Sequence, residues 1–354
     1  MPWYKIKHQN DKVDYRHGIS ESKVLFDYIK DGHWQISITH WNPKKLDYKA
    51  LQTFYEEIQS ALHSGLQLNQ AITHFALSST HPIIGTVSKA ILSELEHGVL
   101  FNEALNNLTK SAAAPYCHLL NSHGTREDCE QSLTVSIDQL KTLLDWSKRL
   151  LKAIIYPFCI IQIALIIMIV NRIFRSTSMG NYVFEFISDL SIYTVCSAIQ
   201  LVIIHSLYRG HACYWLEKYS STFRLTKLFS LLSTTRKTGL TLQQAIKRMP
   251  EYFQYEPMKQ EIYTVYYTLC LGNNYAASFP KLWFPNQSAI ALHSAEQDGN
   301  IERALILAKI EHEKHWQKNI SLLEKLIPAV CLFIAGGFVT SALISLYAPL
   351  LEMP

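Results

Sequence analysis

Three stretches of the chain are almost free of polar side chains. Ala153 to Val170 is broken only by Gln162 and ends at Asn171 and Arg172; Leu190 to Leu207 carries Gln200 and His205; Leu326 to Leu351 contains no charge. About 20 mostly apolar residues are enough for a helix to cross a bilayer, and such a helix has no polar face to offer water. The pattern therefore predicts membrane spans over 153–172, 190–208 and 326–351, with a connection at 173–189; the competing reading of each run is a buried helix of a large soluble core. In the third run Gly337, Ser341 and Ser345 recur every four residues. Such a stripe lets a second helix approach closely, or reflects ordinary residue use in membrane helices.

The polar segments 45–152 and 209–325 show helical spacing instead. Leu51, Phe54, Tyr55, Ile58 and Leu62 fall three and four apart and make one apolar face. Gly65 is placed to end that helix in a left-handed conformation, and the next helix resumes with Leu68, Ala71, Ile72 and Phe75. Leu225, Leu228, Phe229, Leu232 and Gly239 repeat the same grammar.

The repetition extends along the chain. Ser64 to Ile72 resembles Thr238 to Ile246 at a separation of 174 residues, and Gly98 and Gly272 stand at the same separation, each followed three residues on by an aromatic, Phe101 or Tyr275. Glu130 to Leu133 pairs with Glu302 to Leu305, 172 apart, and a proline opens a membrane run in each half, Pro157 and Pro328. The sequence is built twice. Each copy reads as a bundle of short antiparallel helices joined by glycine turns, so the glycines are read as structural and not as ligand-binding. Residues 1–44 differ: Trp34 to Ile38 alternate at period two, which predicts a small strand-containing appendage with a helix near Glu21 to Lys30.

Charge orients these elements. Lys141, Lys148, Arg149 and Lys152 precede the first run; Arg209, Lys218, Arg224 and Lys227 follow the second; Lys309, Lys314, Lys318 and Lys325 precede the third. The connection holds Arg172 and Arg175 offset by Glu185 and Asp189, and nothing basic follows the third run. The positive-inside rule then predicts that both bundles are cytoplasmic and that the connection and C-terminal tail lie outside. The N-terminus lacks a signal-peptide core, consistent with a cytoplasmic N-terminus.

Composition adds exclusions. Against 29 Asp and Glu there are 33 Lys and Arg, a net +4 too small and dispersed for nucleic acid to be the main partner. The mean hydropathy of +0.02 averages apolar spans with polar bundles. Seven scattered cysteines without a CxxC argue against a disulfide framework or zinc site.

These features resemble the GspF/PilC family, the inner-membrane platform proteins of type II secretion systems and type IV pili. The resemblance rests on Gly65, Gly98, Ala104 and Tyr156–Pro157 in the first half, and on Gly239, Gly272, Ala295-Glu296-Gln297-Asp298-Gly299 and Pro328 in the second. It covers the chain from about Leu51 to the end. Gly124 to Glu127 departs from the family's Glu-x-x-Gly turn, and Ser278 replaces an alanine. The resemblance implies an all-α membrane protein: two homologous cytoplasmic helical bundles, three transmembrane helices and the small appendage. It also implies a stationary base that couples a cytoplasmic assembly ATPase to pilins or pseudopilins, beside other inner-membrane assembly proteins, as a homo-oligomer in the inner membrane. No cofactor and no catalysis of its own are implied.

The chemical signals are sparse. No GxxxxGK[ST] phosphate cradle occurs. Lys237-Thr238-Gly239 and Ser20-Glu21-Ser22-Lys23 copy penicillin-binding fragments without their Ser-Asp-Asn partner. His312 and His315, three apart with Glu311 nearby, offer metal-ligand chemistry or a solvated helix face. Glu296 and Asp298 offer oxygens to a hard cation, or cap a helix. A small oligomeric transporter would need Gln162, Gln200 and His205 to line its path; a membrane-anchored adaptor would leave the duplication unexplained.

Overall fold

A computed structural model of the chain describes residues 2–8, 12–78, 81–120, 126–174, 179–237 and 240–351. Two compact units emerge: Met1–Leu143 with Lys227–Ala308, and Leu144–Thr226 with Lys309–Pro354.

The first unit begins with a three-stranded antiparallel sheet, β1 (Trp3–His8), β2 (Val13–His17) and β3 (Ile36–Trp41), in the order β2-β1-β3. Ile6 stands opposite Ile38 on one side and Asp14 on the other. Helix α1 (Glu21–Lys30) crosses between β2 and β3 in sequence; its N-cap is Ser20, whose hydroxyl accepts the Lys23 N–H. Tyr4, Ile6, Val24 and Tyr28 form the core, with Ile36 and Ile38 against it. Alternation puts one side of each strand inward, so a small sheet and one helix suffice to close this layer.

The same unit holds the short helices of both repeats, with α9 entering it at Lys227. The first comprises α2 (Tyr48–His63), α3 (Leu68–Ser78), α4 (Pro82–Glu96) and α5 (Phe101–Asn107); the second comprises α9 (Ser221–Lys237), α10 (Leu242–Arg248), α11 (Glu256–Cys270) and α12 (Tyr275–Ser278). α4 and α11 begin and end 174 residues apart, and so do the first residues of α3 and α10 and of α5 and α12. Their cores correspond at that separation: Phe54 with Leu228, Tyr55 with Phe229, Ile58 with Leu232, Ala71 with Ala245 and Ile91 with Val265 are all buried. Even a helix start is conserved between the copies. The Gln70 side chain accepts from the Gln67 N–H at 3.0 Å, and Gln244 accepts from the Thr241 N–H at 3.2 Å, where Thr241 completes a capping box.

Gly65, Gly98 and Gly272 close α2, α4 and α11 in the same way, with φ of +97°, +80° and +78°. Each glycine N–H donates back to the carbonyl three residues earlier, and the next N–H donates to the one five residues before itself: Gly98 to Leu95 and Val99 to Glu94, Gly272 to Leu269 and Asn273 to Thr268. That is a Schellman closure, which favours glycine because only its left-handed conformation is free of Cβ strain. Gly239 lies outside the described residues.

The repeats part company after α5 and α12. The second contains α13 (Asn286–Asp298), ending at Gly299 with φ +70°. Among the described residues of the corresponding stretch, the first has a 3₁₀ turn at Ala114–Leu119. Correspondence then resumes at the separation of 172. In α6 (Arg126–Phe174) Cys129, Ser132, Leu133 and Ser136 are buried, and in α14 (Ile301–Leu351) Ile301, Ala304, Leu305 and Ala308.

The expected first and third spans are therefore the distal parts of much longer helices. α6 has 49 residues and α14 has 51, about 75 Å each at 1.5 Å per residue; both belong to the first unit at their N-terminal ends and to the second beyond. Pro157 lies inside α6 and Pro328 inside α14. The expected connection at 173–189 needs correction. α6 continues to Phe174 and α7 (Met179–Arg209) has already begun at Met179; residues 175–178 are not described. Apolar length sets how much of a helix lies in hydrocarbon, not where its hydrogen bonding stops, and no proline interrupts 179–189. Among the described residues three helices, α6, α7 and α14, are long and apolar enough to cross a membrane; their apolar parts fall in the second unit, together with α8 (Ala212–Tyr219).

Candidate functional site

A chain made of two bundles and three spans does its work where those elements meet each other or a partner, so buried polar contacts are the informative ones. Three clusters stand out among the described residues.

The first joins the repeats within the first unit. Gln139 of α6 is buried; its carbonyl accepts from the Ser230 hydroxyl at 3.0 Å and its amide donates to the Thr234 hydroxyl, both on α9. Lys227, 6% exposed, donates to the Tyr252 carbonyl at 2.5 Å and lies 4.8 Å from the centre of the Phe253 ring. Tyr252 in turn meets Tyr116 of the first repeat edge to face, 5.3 Å between centroids. Tyr252 and Tyr55 both titrate above their ordinary range because burial penalises the phenolate. Neither phenol is a base. Burial likewise pushes the nearby Cys117 thiol up to about 11, which leaves it a packed hydrophobe and not a nucleophile.

The second cluster holds the membrane helices together. Gln162 of α6 donates to Ser197 at 3.1 Å and to Gln200 at 2.5 Å on α7, and Ser197 returns a bond to the Gln162 carbonyl. Amides bonded in this way fasten helices to each other, here α6 to α7. Outside the apolar runs, Arg149 of α6 grips Glu324 of α14 through two bonds, Nε to Oε1 at 2.7 Å and an Nη to Oε2 at 3.0 Å. Trp146, Phe223 and Trp316 pack edge to face or tilted beside that level, with centroids 5.2 to 6.3 Å apart.

The third is the acidic turn. Glu296 of α13 points one carboxylate oxygen at the Ala276 N–H of α12, 2.8 Å away, and the other lies 3.5 Å from His293. It supplies a helix start with the acceptor that start lacks. Asp298 is exposed, and among the described residues no three His, Cys, Asp or Glu side chains are grouped to hold a metal. Ser278, at the alanine position of the family pattern, is buried and donates to the Asn274 carbonyl at 2.9 Å, so the extra hydroxyl is satisfied inside its own turn.

The remaining motifs separate. His312 is buried while His315 is exposed, so the two do not share an environment. Ser20 is spent on capping α1, and Thr238 and Gly239 lie outside the described residues. Gly337 and Ser341 lie along an open groove on α14 with Phe333, Gly336, Thr340 and Ile344; the Ser345 side chain is not described. The inter-repeat contacts were not foreseen from sequence, although α9 carries Ser230, Ser233, Thr234 and Thr235 on a face that packing makes buried.

Two segments, residues 54–174 and 228–349, match the sequence model for type II secretion system protein F. The two matches start 174 residues apart, the separation of the repeats, and together cover more than half of the chain. No curated protein matches the sequence significantly. With its duplicated bundle, three apolar helices and a match to both copies, the chain belongs to the type II secretion system protein F family, which serves type II secretion and type IV pilus machinery.

Proposed function

We propose that this protein is the inner-membrane platform of a type IV pilus or type II secretion machine, coupling a cytoplasmic assembly ATPase to the polymerisation of pilins or pseudopilins. The observation that carries the reading is the family match across both repeats. In this reading both repeats and the N-terminus are cytoplasmic and the chain works as a homo-oligomer beside other inner-membrane assembly proteins. The ATPase docks on the soluble repeats. The stripe of Gly337, Ser341 and Ser345 receives a helix from a pilin or a second copy. The continuous α6 and α14 support the coupling role, since each carries one helix from a repeat into an apolar span, through Pro157 or Pro328.

The chain contributes surfaces and no hydrolysis. Purified protein is expected to retain the assembly ATPase in a pull-down and to show no nucleotide turnover alone. Deleting the gene is expected to abolish filaments or secretion with pilin levels near normal. Normal filaments in the deletion strain, or enzyme-like hydrolysis by the isolated protein, would overturn the reading.

A further inference from the structure

Helix α8 has its polarity reversed for a helix facing water. It follows α7 through Gly210, whose φ of +74° turns the chain sharply at the end of an apolar span. Cys213 and Glu217 point inward and are buried. The outward stripe is His211, Tyr214, Trp215, Lys218 and Tyr219, spaced three and four apart along the helix. Tyr214 is 52%, Trp215 59% and Tyr219 70% exposed, and Tyr208 at the end of α7 is 62% exposed. Three aromatics facing solvent around an inward glutamate is a poor arrangement in water, which favours burying the rings.

The rings are also ordered. Trp215 and Tyr219 stack with centroids 6.0 Å apart, and the Lys218 ammonium lies 5.5 Å from the Tyr219 ring. Arg224 donates to the Glu217 and Lys218 carbonyls at 2.8 and 3.2 Å, which caps the C-terminal end of α8 and holds it against the unit.

Position says what covers the stripe. The Ser147 hydroxyl of α6 donates to the Leu207 carbonyl of α7, so at this level the apolar run of α7 closes and, six residues or about 9 Å further along α6, the apolar run that opens at Ala153 begins. That is the depth at which hydrocarbon gives way to headgroups. Trp and Tyr partition to this layer because their rings are apolar and their N–H and O–H groups are not, and Lys reaches lipid phosphate from it.

We propose that α8 is an interfacial helix, its aromatic and basic stripe immersed in the headgroup layer of the membrane that α7 crosses, with Trp215 at its centre and Lys218 and His211 facing lipid phosphate. The proposal goes beyond the platform reading and depends only on α7 being a span. It gives the junction between α7 and α9 a fixed depth, because a helix lying in the interface resists both withdrawal into water and burial in hydrocarbon.

The test uses the full chain reconstituted into phosphatidylcholine vesicles, with or without bromine on the acyl chains near the headgroup. Bromine quenching of tryptophan fluorescence is compared for the wild type, Trp215→Phe, and Trp215→Phe with Tyr219→Trp. Wild type is expected to be quenched, Trp215→Phe to lose most of that quenching, and the double variant to regain it one turn further along. Equal quenching of wild type and Trp215→Phe, with both floating with the vesicles, overturns the proposal while leaving the membrane assignment intact. Failure of the wild type to float overturns the membrane assignment itself and this proposal with it. A photo-reactive benzoylphenylalanine at Tyr214 that captures a second copy instead of lipid also overturns it, by making the stripe an interface between copies.

Discussion

Gly98 and Gly272 occupy equivalent left-handed turns, and at neither would an added Cβ meet another atom within 4 Å. A substitution there reads backbone strain with no steric contribution. Gly98→Ala and Gly272→Ala should each lower stability by about 1–2 kcal/mol, the cost of a left-handed conformation for an L-residue, measured as a lowered unfolding midpoint in detergent. Gly336→Ala, in the interior of α14 with the same open space, should be neutral or slightly stabilising. Glu94 offers a different test. It accepts the His17 N–H at 2.7 Å while its neighbour Ser93 accepts the Tyr15 N–H at 2.9 Å, so α4 covers the outer edge of β2. Burial is the largest influence on its carboxyl and raises it above the ordinary 4.5. The folded state therefore holds this proton to higher pH than the unfolded state does. Stability from this group is greatest at or below about pH 4.5 and falls as pH rises through the raised value. Glu94→Gln, which keeps the acceptor and removes the charge, should flatten that slope in thermal unfolding between acid and neutral pH; an unchanged slope would assign the pH dependence to another group.

At the scale of elements, legibility followed how local the cause was. The glycine closures, the alternating strand near Trp34 and the helix at Glu21–Lys30 each depend on residues adjacent in sequence, and each is written there. The repeat was legible because Gly65 and Gly98 recur as Gly239 and Gly272 at one spacing. What sequence did not disclose is non-local. Gln139 bonds to Ser230 and Thr234 across more than ninety residues, and nothing about an isolated glutamine among helical positions indicates its partner. Nor does the sequence disclose the 3₁₀ turn at Ala114–Leu119 in the first repeat, since Cys117 and Leu119 are as buried there as an α-helix would make them. The Arg149–Glu324 pair belongs to the same class. Its two-point geometry is specific, but the arginine is 40% exposed and water screens the attraction. A double-mutant cycle with Arg149→Ala and Glu324→Ala is expected to give a coupling of about 0.5–1 kcal/mol, at the upper end for a partly exposed pair because both bonds form. A coupling near zero would make it a contact without energetic consequence.

For the whole molecule, the decisive quantity is which side of the membrane each segment occupies. Its apolar runs mark three candidate crossings, and the described helices are each long enough for one, but length carries no sign. The sign comes from charge. Lys148, Arg149 and Lys152 lead into the first crossing, Arg209 and Lys218 follow the second, and Lys318 and Lys325 lead into the third, while Arg172 and Arg175 at the other end are offset by Glu185 and Asp189 and nothing basic follows the third run. Moving those clusters across an energised membrane opposes both the membrane potential and their hydration. In the proposed arrangement an odd number of crossings puts the two termini on opposite sides, with both repeats on the side of the N-terminus. Reporter fusions are expected to behave as exported after Gly180 and at Pro354, and as internal after Tyr219. The fusion after Tyr219 is the discriminating one, because it falls at the end of α8 and beyond the second crossing. An internal signal after Gly180 together with an exported one after Tyr219 would invert the whole arrangement, place the repeats outside, and remove any route by which a cytoplasmic ATPase could reach them.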